Sequence, residues 1–126
     1  RVLVVDDNAD AAALLADVLA RAGHDVEVAH DGPEAIAAAS ARRPDVAVLD
    51  LGLPVMDGYE LAAQLRRRLG AAAPAILGVT GYGQEQDRER SRAAGFLHHF
   101  VKPADPAEVL AAVEDAGGRA ERRAPG

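Results

Sequence analysis

Three short apolar runs and one mixed run in this sequence each stop on polar residues, and those residues could share one chemistry. Val2-Leu3-Val4-Val5 stops at Asp6-Asp7, and Val46-Ala47-Val48-Leu49 stops at Asp50. Ala75-Ile76-Leu77-Gly78-Val79 stops at Thr80, and Phe96 to Val101 stops at Lys102. Three carboxylates held close together repel and raise each other's pKa values. A hard divalent cation relieves that repulsion, and all-oxygen ligation with retained waters suits Mg²⁺. Lys102 is the only lysine in a chain whose other basic side chains are all Arg. Its retention suggests that a compact point charge is wanted there. A metal, an ammonium and a hydroxyl around one Asp make a phosphoryl site. Asp is a nucleophile in aspartyl-phosphate chemistry, and charge clamping does most of the work in such a transfer.

These residues meet only if the apolar runs lie side by side. The first three of these runs are continuous apolar stretches, as expected of strands buried on both faces. Asp25 to Ala29 alternates instead, which predicts an edge strand whose tip carries His30 and Asp31. Between the strands lie helical patterns. Leu14, Leu15, Val18, Leu19 and Ala22 recur at helical spacing before Gly23. Asp31 with Glu34, and Asp57 with Glu60, have capping-box spacing. The first of those helices runs to about Arg43 before Pro44; the second carries Leu61, Leu65 and Leu69 up to Gly70. The stretch 84–94 is so polar that it predicts a marginal helix with little apolar face. Asp105-Pro106-Ala107-Glu108 opens the last helix, which carries Val109, Leu110 and Val113. Strand–helix repeated five times, with room for a crossover each time, predicts an α/β fold with a parallel sheet covered on both faces. Ligands of such sheets bind beyond the carboxyl ends of the strands, where the polar residues above collect.

Composition narrows the classes further. At 126 residues the chain is one domain; residues 1–116 are expected to form it and 117–126, rich in Gly, Arg and Pro, to be a flexible tail or linker. There is no cysteine, so disulfides and thiolate metal sites are excluded. The net charge of −6 argues against direct nucleic-acid binding. No apolar run reaches membrane-span length, and a cytoplasmic location is expected. The chain opens on Arg1 without a Met, which reads as a segment of something longer.

Asp6-Asp7, Asp50 with Leu53-Pro54-Val55-Met56-Asp57-Gly58, Thr80-Gly81 and Lys102-Pro103 resemble the receiver domain of two-component response regulators. The resemblance covers roughly residues 2–115. It implies a flavodoxin-like three-layer sandwich with sheet order 2-1-3-4-5. It implies that Asp50 accepts a phosphoryl group from a phosphohistidine on a histidine kinase or histidine phosphotransfer domain. It further implies that Asp7, Asp50 and the Gly52 carbonyl hold Mg²⁺ with Asp6 assisting through water, and that Thr80 and Lys102 contact the phosphoryl oxygens. A cis Lys102–Pro103 bond and an output face on the fourth helix, fifth strand and fifth helix, which could also support a homodimer, follow in the same way. His99 stands where the family often has an aromatic switch residue; Gly52 and Tyr82 stand where it tunes phosphoryl lifetime. The stretch 94–103 is most similar to receivers fused to hybrid sensor histidine kinases.

Taken singly, each motif has a plainer structural reading. Asp6-Asp7 could cap a helix, Asp50 could serve a turn before Gly52 and Pro54, Thr80 could end a strand, and Lys102 could be a surface charge. His98 and His99 are neighbours in a strand and point to opposite faces, so they do not chelate one metal together. Arg66-Arg67-Arg68 reads as a solvated helix face. Two functional rivals remain: a Mg²⁺-dependent aspartyl-nucleophile phosphatase, which usually needs a second Asp where this chain has Gly52, and a phosphorylation-independent pseudo-receiver, against which the full Asp, Thr and Lys set argues.

Overall fold

The computed structural model describes residues 1–53, 56–81, 85–102 and 104–123, with only the backbone described for 85–88 and 118–123. Strands β1 (Val2–Val5), β2 (Val26–Ala29), β3 (Val46–Asp50), β4 (Ala75–Thr80) and β5 (His98–Val101) alternate with helices α1 (Ala9–Arg21), α2 (Gly32–Ala41), α3 (Gly58–Leu69), α4 (Glu85–Ala93) and α5 (Pro106–Arg123). The strands form one parallel sheet of order β2-β1-β3-β4-β5. This is the expected flavodoxin-like order, with β2 at an edge as its alternation predicted.

Period-2 geometry splits the strand residues between two cores. Leu3, Val5, Ala47, Leu49 and Ile76 pack with Ala35, Ala39, Leu61 and Leu65 of α2 and α3. Val2, Val4, Val46, Val48 and Leu77 pack with Leu19 of α1 and Val109 and Val113 of α5. Asp6, Asp50 and Lys102 continue the second register, so they emerge on the α1/α5 side of the sheet's carboxyl edge. The helices begin where capping chemistry predicts. Asn8, Asp31 and Asp57 are N-caps whose side chains accept backbone N–H groups at 3.1, 2.8 and 2.9 Å. Gly23 and Gly70 have φ of +99° and +56° just past α1 and α3, the left-handed conformation that glycine tolerates.

Three local expectations differ from what is observed. Leu14, read as part of the apolar face of α1, is 59% exposed. Ala12, Leu15 and Leu19 already fill the stripe that α1 turns to the sheet. Phe96 precedes β5 rather than belonging to it, its ring packed against Gly78, where a Cβ would sit 2.8 Å from its Cδ2. Helical backbone in α5 runs through Gly117 and Gly118 to Arg123. Each glycine costs about 1 kcal/mol relative to Ala, but the flanking Ala, Glu and Arg residues are strong helix formers. No helix among the described residues is long and apolar enough to cross a membrane.

Candidate functional site

Parallel pairing brings three strand tips together. Asp50 is the last residue of β3 and pairs with Val79 of β4, so Thr80 stands one residue beyond it on the neighbouring strand. Asp6 follows β1, which pairs with β3. Lys102 follows β5, and its backbone N–H donates to the Thr80 carbonyl at 2.7 Å. Asp50 and Thr80 are buried, at 6% and 8% exposure. Carboxylates are rarely so covered unless paired.

The pairing is complete on the protein side. Lys102 Nζ lies 3.2 Å from Asp50 Oδ2 and 3.4 Å from Asp6 Oδ2. The other oxygen of each carboxylate accepts a backbone N–H: Asp50 Oδ1 from Gly52 and Asp6 Oδ1 from Asn8, both at 2.9 Å. One ammonium thus serves two carboxylates, and Asp7 adds a third. Oxygens of Asp6, Asp7 and Asp50 all lie within 4.8 Å of one another. Burial raises the Asp6 pKa, and the Asp50 charge adds to it; the Asn8 N–H and Lys102 oppose but do not cancel these effects. Burial acts to lower the Lys102 pKa, but Asp50 and Asp6 together outweigh it and raise it. An acid left with excess negative charge around it, in an all-oxygen cluster, fits a hard divalent cation such as Mg²⁺.

Of the residues singled out in the sequence, Asp6, Asp7, Asp50, Thr80 and Lys102 therefore share one rim, and Gly52 sits in the exposed turn directly after Asp50. His98 and His99 diverge as expected. His98 Nε2 faces Asp115 of α5 at 3.5 Å, whereas His99 Nδ1 is 2.7 Å from Ser91 Oγ of α4. Pro54 and Val55 of the motif, Tyr82, and the Lys102–Pro103 bond lie outside the described residues. One supporting residue, Asn8, and one supporting contact, that of His30, escaped the sequence reading. Asn8 both caps α1 and fixes Asp6; the Asp-x-Asn spacing at a strand end was its available signal. His30 Nδ1 lies 3.1 Å from the Asp6 carbonyl, a contact that no local spacing announces. A cleft of about 440 Å³ opens from Asp6, Asp50 and Lys102 between α1 and α5, walled by Ala12, Leu15 and Val109.

A doubly wound parallel sheet with an Asp cluster, a threonine and a lysine at its carboxyl edge defines a class of phosphoryl-accepting α/β domains. The model of the response regulator receiver domain family matches residues 2–114, and the chain belongs to that family. It is similar to the alkaline phosphatase synthesis transcriptional regulatory protein PhoP of Bacillus subtilis, 38% identical over 99% of this chain and 51% of that protein. Among solved structures it resembles chemotaxis protein CheY4 of Vibrio cholerae (32% identity, TM-score 0.84, 91% of this chain and 96% of that one). It also resembles a CheY-like receiver domain protein of Methanospirillum hungatei (26% identity, TM-score 0.88, 97% and 96%). The chain spans about half the length of the transcriptional regulators it matches. As a receiver domain it is a phosphoacceptor module of two-component signalling, served by histidine kinases or phosphotransfer proteins.

Proposed function

We propose that Asp50 is the phosphoacceptor. A carboxylate oxygen of Asp50 attacks the phosphorus of a phosphohistidine, the P–N bond breaks, and the imidazole leaves with a proton from solvent. The observation that carries this is a carboxylate at 6% exposure, at a strand tip, whose charge is met by a single lysine at 3.2 Å. Asp7, Asp50 and the Gly52 carbonyl would hold Mg²⁺, with Asp6 assisting. The ion supplies charge neutralisation for the incoming phosphoryl oxygens. Lys102 and Thr80 contact those oxygens, and the N-terminus of α1 adds its partial positive charge. The acylphosphate formed then draws Thr80 inward and shifts the face made by α4, β5 and α5, which also offers a surface for a homodimer.

This reading makes the domain an acceptor rather than a turnover enzyme: Gly52 stands where an aspartyl phosphatase needs its second acid. We place it in the cytoplasm, with residues 1–116 as the receiver and 117–126 as a tail or linker whose first residues continue α5. With a net charge of −6 it makes no direct contact with nucleic acid or membrane. The relatives named above are regulators, which favours a regulator over a hybrid kinase as the parent.

The test is intact mass after incubation with Mg²⁺ and acetyl phosphate, with Asp50→Asn alongside. The expected result is one phosphoryl group added, dependent on the metal and absent from the variant. Phosphorylation of Asp50→Asn at the wild-type level would overturn the assignment.

A further inference from the structure

Helix α4 has almost nothing apolar to bury. Its sequence is Glu-Gln-Asp-Arg-Glu-Arg-Ser-Arg-Ala, and of the side chains described in it only Ser91 is buried, at 2% exposure. Most helices are held to a sheet by an apolar stripe; among the described side chains of this one, the group buried against its neighbours is a hydroxyl. Ser91 Oγ is 3.1 Å from Tyr59 Oη of α3 and 2.7 Å from His99 Nδ1 of β5. Tyr59 is itself fixed, stacked on Phe96 with ring centroids 5.4 Å apart and covered by the Arg90 guanidinium at 4.0 Å. Arg90 also lies 3.7 Å from Asp57, the N-cap of α3.

We propose that the Tyr59–Ser91–His99 hydrogen-bond chain is a latch that holds α4 against α3 and β5, and that phosphorylation of Asp50 switches the output face by opening it. The inference rests on the phosphoacceptor reading above and specifies how that site is read out. A hydroxyl donates one hydrogen bond and accepts others, so Ser91 can bridge its two partners with either polarity. Such a bridge is discrete. The residues beside Ser91 are Arg90 and Arg92, and neither can be buried in its place if α4 turns or slides. A hydrogen bond is short-ranged and directional, so this contact is lost once α4 moves its hydroxyl out of reach. In this chain residue 99 is therefore restrained by a directional bond to α4.

The experiment is amide hydrogen exchange together with ¹⁵N NMR of the imidazoles, on the full chain with and without acetyl phosphate and Mg²⁺. Ser91→Ala keeps a strong helix former, and Tyr59→Phe keeps the ring on Phe96, so both variants should fold. Without phosphodonor, each is expected to raise exchange in α4 roughly five- to tenfold, the scale of one lost hydrogen bond, while α1 and α2 stay protected. The His99 ring resonances of Ser91→Ala should move toward their positions in the phosphorylated wild type. Unchanged α4 exchange in both variants overturns the latch. So does a phosphorylated wild type whose His99 resonances have not moved. Failure of the acceptor reading is separate: the wild type would then gain no phosphoryl mass, whatever the variants do to α4.

Discussion

Asp6 is the side chain of the cluster whose ionisation works against the fold. Its pKa is raised, chiefly by burial. An acid with a raised folded-state pKa destabilises the native state once ionised, and the penalty fades as pH falls through the folded pKa toward the ordinary value of 3.8. Asp6→Asn is therefore expected to raise Tm at pH 7 by about 2–4 °C, with the gain shrinking toward pH 4. The same variant should bind Mg²⁺ about tenfold more weakly, since it removes one negative charge from the cluster. Thermal scans at the two pH values and a calorimetric titration check both signs; a lower Tm at pH 7 would show that the Lys102 pairing outweighs the burial. Lys102 has the opposite linkage. Its raised pKa means that its stabilising contribution is complete below the ordinary 10.5 and is lost as pH rises through the folded value. Lys102→Gln should thus cost about 1–3 kcal/mol at neutral pH, because it strands one buried and one half-buried carboxylate. Denaturant midpoints at pH 7 and above pH 11 measure it, the difference from wild type narrowing at the higher pH.

The turn from β3 into α3 depends on a close approach that side chains would block. A Cβ at Gly58 would meet the Asp50 carbonyl oxygen and Leu51 Cα, both at 2.9 Å, so backbone would have to move. Gly58→Ala is expected to cost about 1–3 kcal/mol and to displace Asp50. Gly52→Ala, whose Cβ would meet only Asp50 Oδ1 at an ordinary 3.6 Å, is the control. Equal urea midpoints for the two variants would refute this account of the turn. The order and kind of elements were legible because each rests on local chemistry: continuous apolar strands, Asp and Asn caps, glycine stops. The site was legible for the same reason, since each of its residues ends a strand-forming run and the parallel topology then gathers the tips. What the sequence did not show depends on contacts between distant segments. Leu14 looked like core, because periodicity cannot say which of two adjacent apolar residues faces the sheet. Phe96 looked like strand until Gly78 was seen to make room for its ring. Ser91 looked like one more polar residue of a solvated helix, because only the fold brings Tyr59 and His99 to it.

At the scale of the molecule, parallel strands with antiparallel helices set every helix N-terminus on the edge that carries the site. Acids of the first turns, Asp10, Glu34, Glu60 and Glu108, complement those helix dipoles, while Arg21 and Arg66 to Arg68 complement the opposite ends. The chain is thus acidic around Asp50 and basic at the far end, a field that draws cations to the cluster. A cation that binds the folded cluster and not the unfolded chain stabilises the fold by RT ln(1 + [Mg²⁺]/Kd). A hundredfold excess over Kd corresponds to about 2.7 kcal/mol, or roughly 8–15 °C in a domain of this size. Protonating Asp6 competes with that binding, so the rise in Tm should diminish as pH falls through the folded pKa of Asp6, and binding should release protons there. In Lys102→Gln, which lacks the built-in counter-charge, Mg²⁺ should recover a larger share of Tm than in the wild type. Thermal scans across a Mg²⁺ series at several pH values, with Asp50→Asn as the weakened site, test the scheme together. A Tm rise that is equal at every pH and in every variant would mean that the ion acts elsewhere on the acidic edge and not at the cluster.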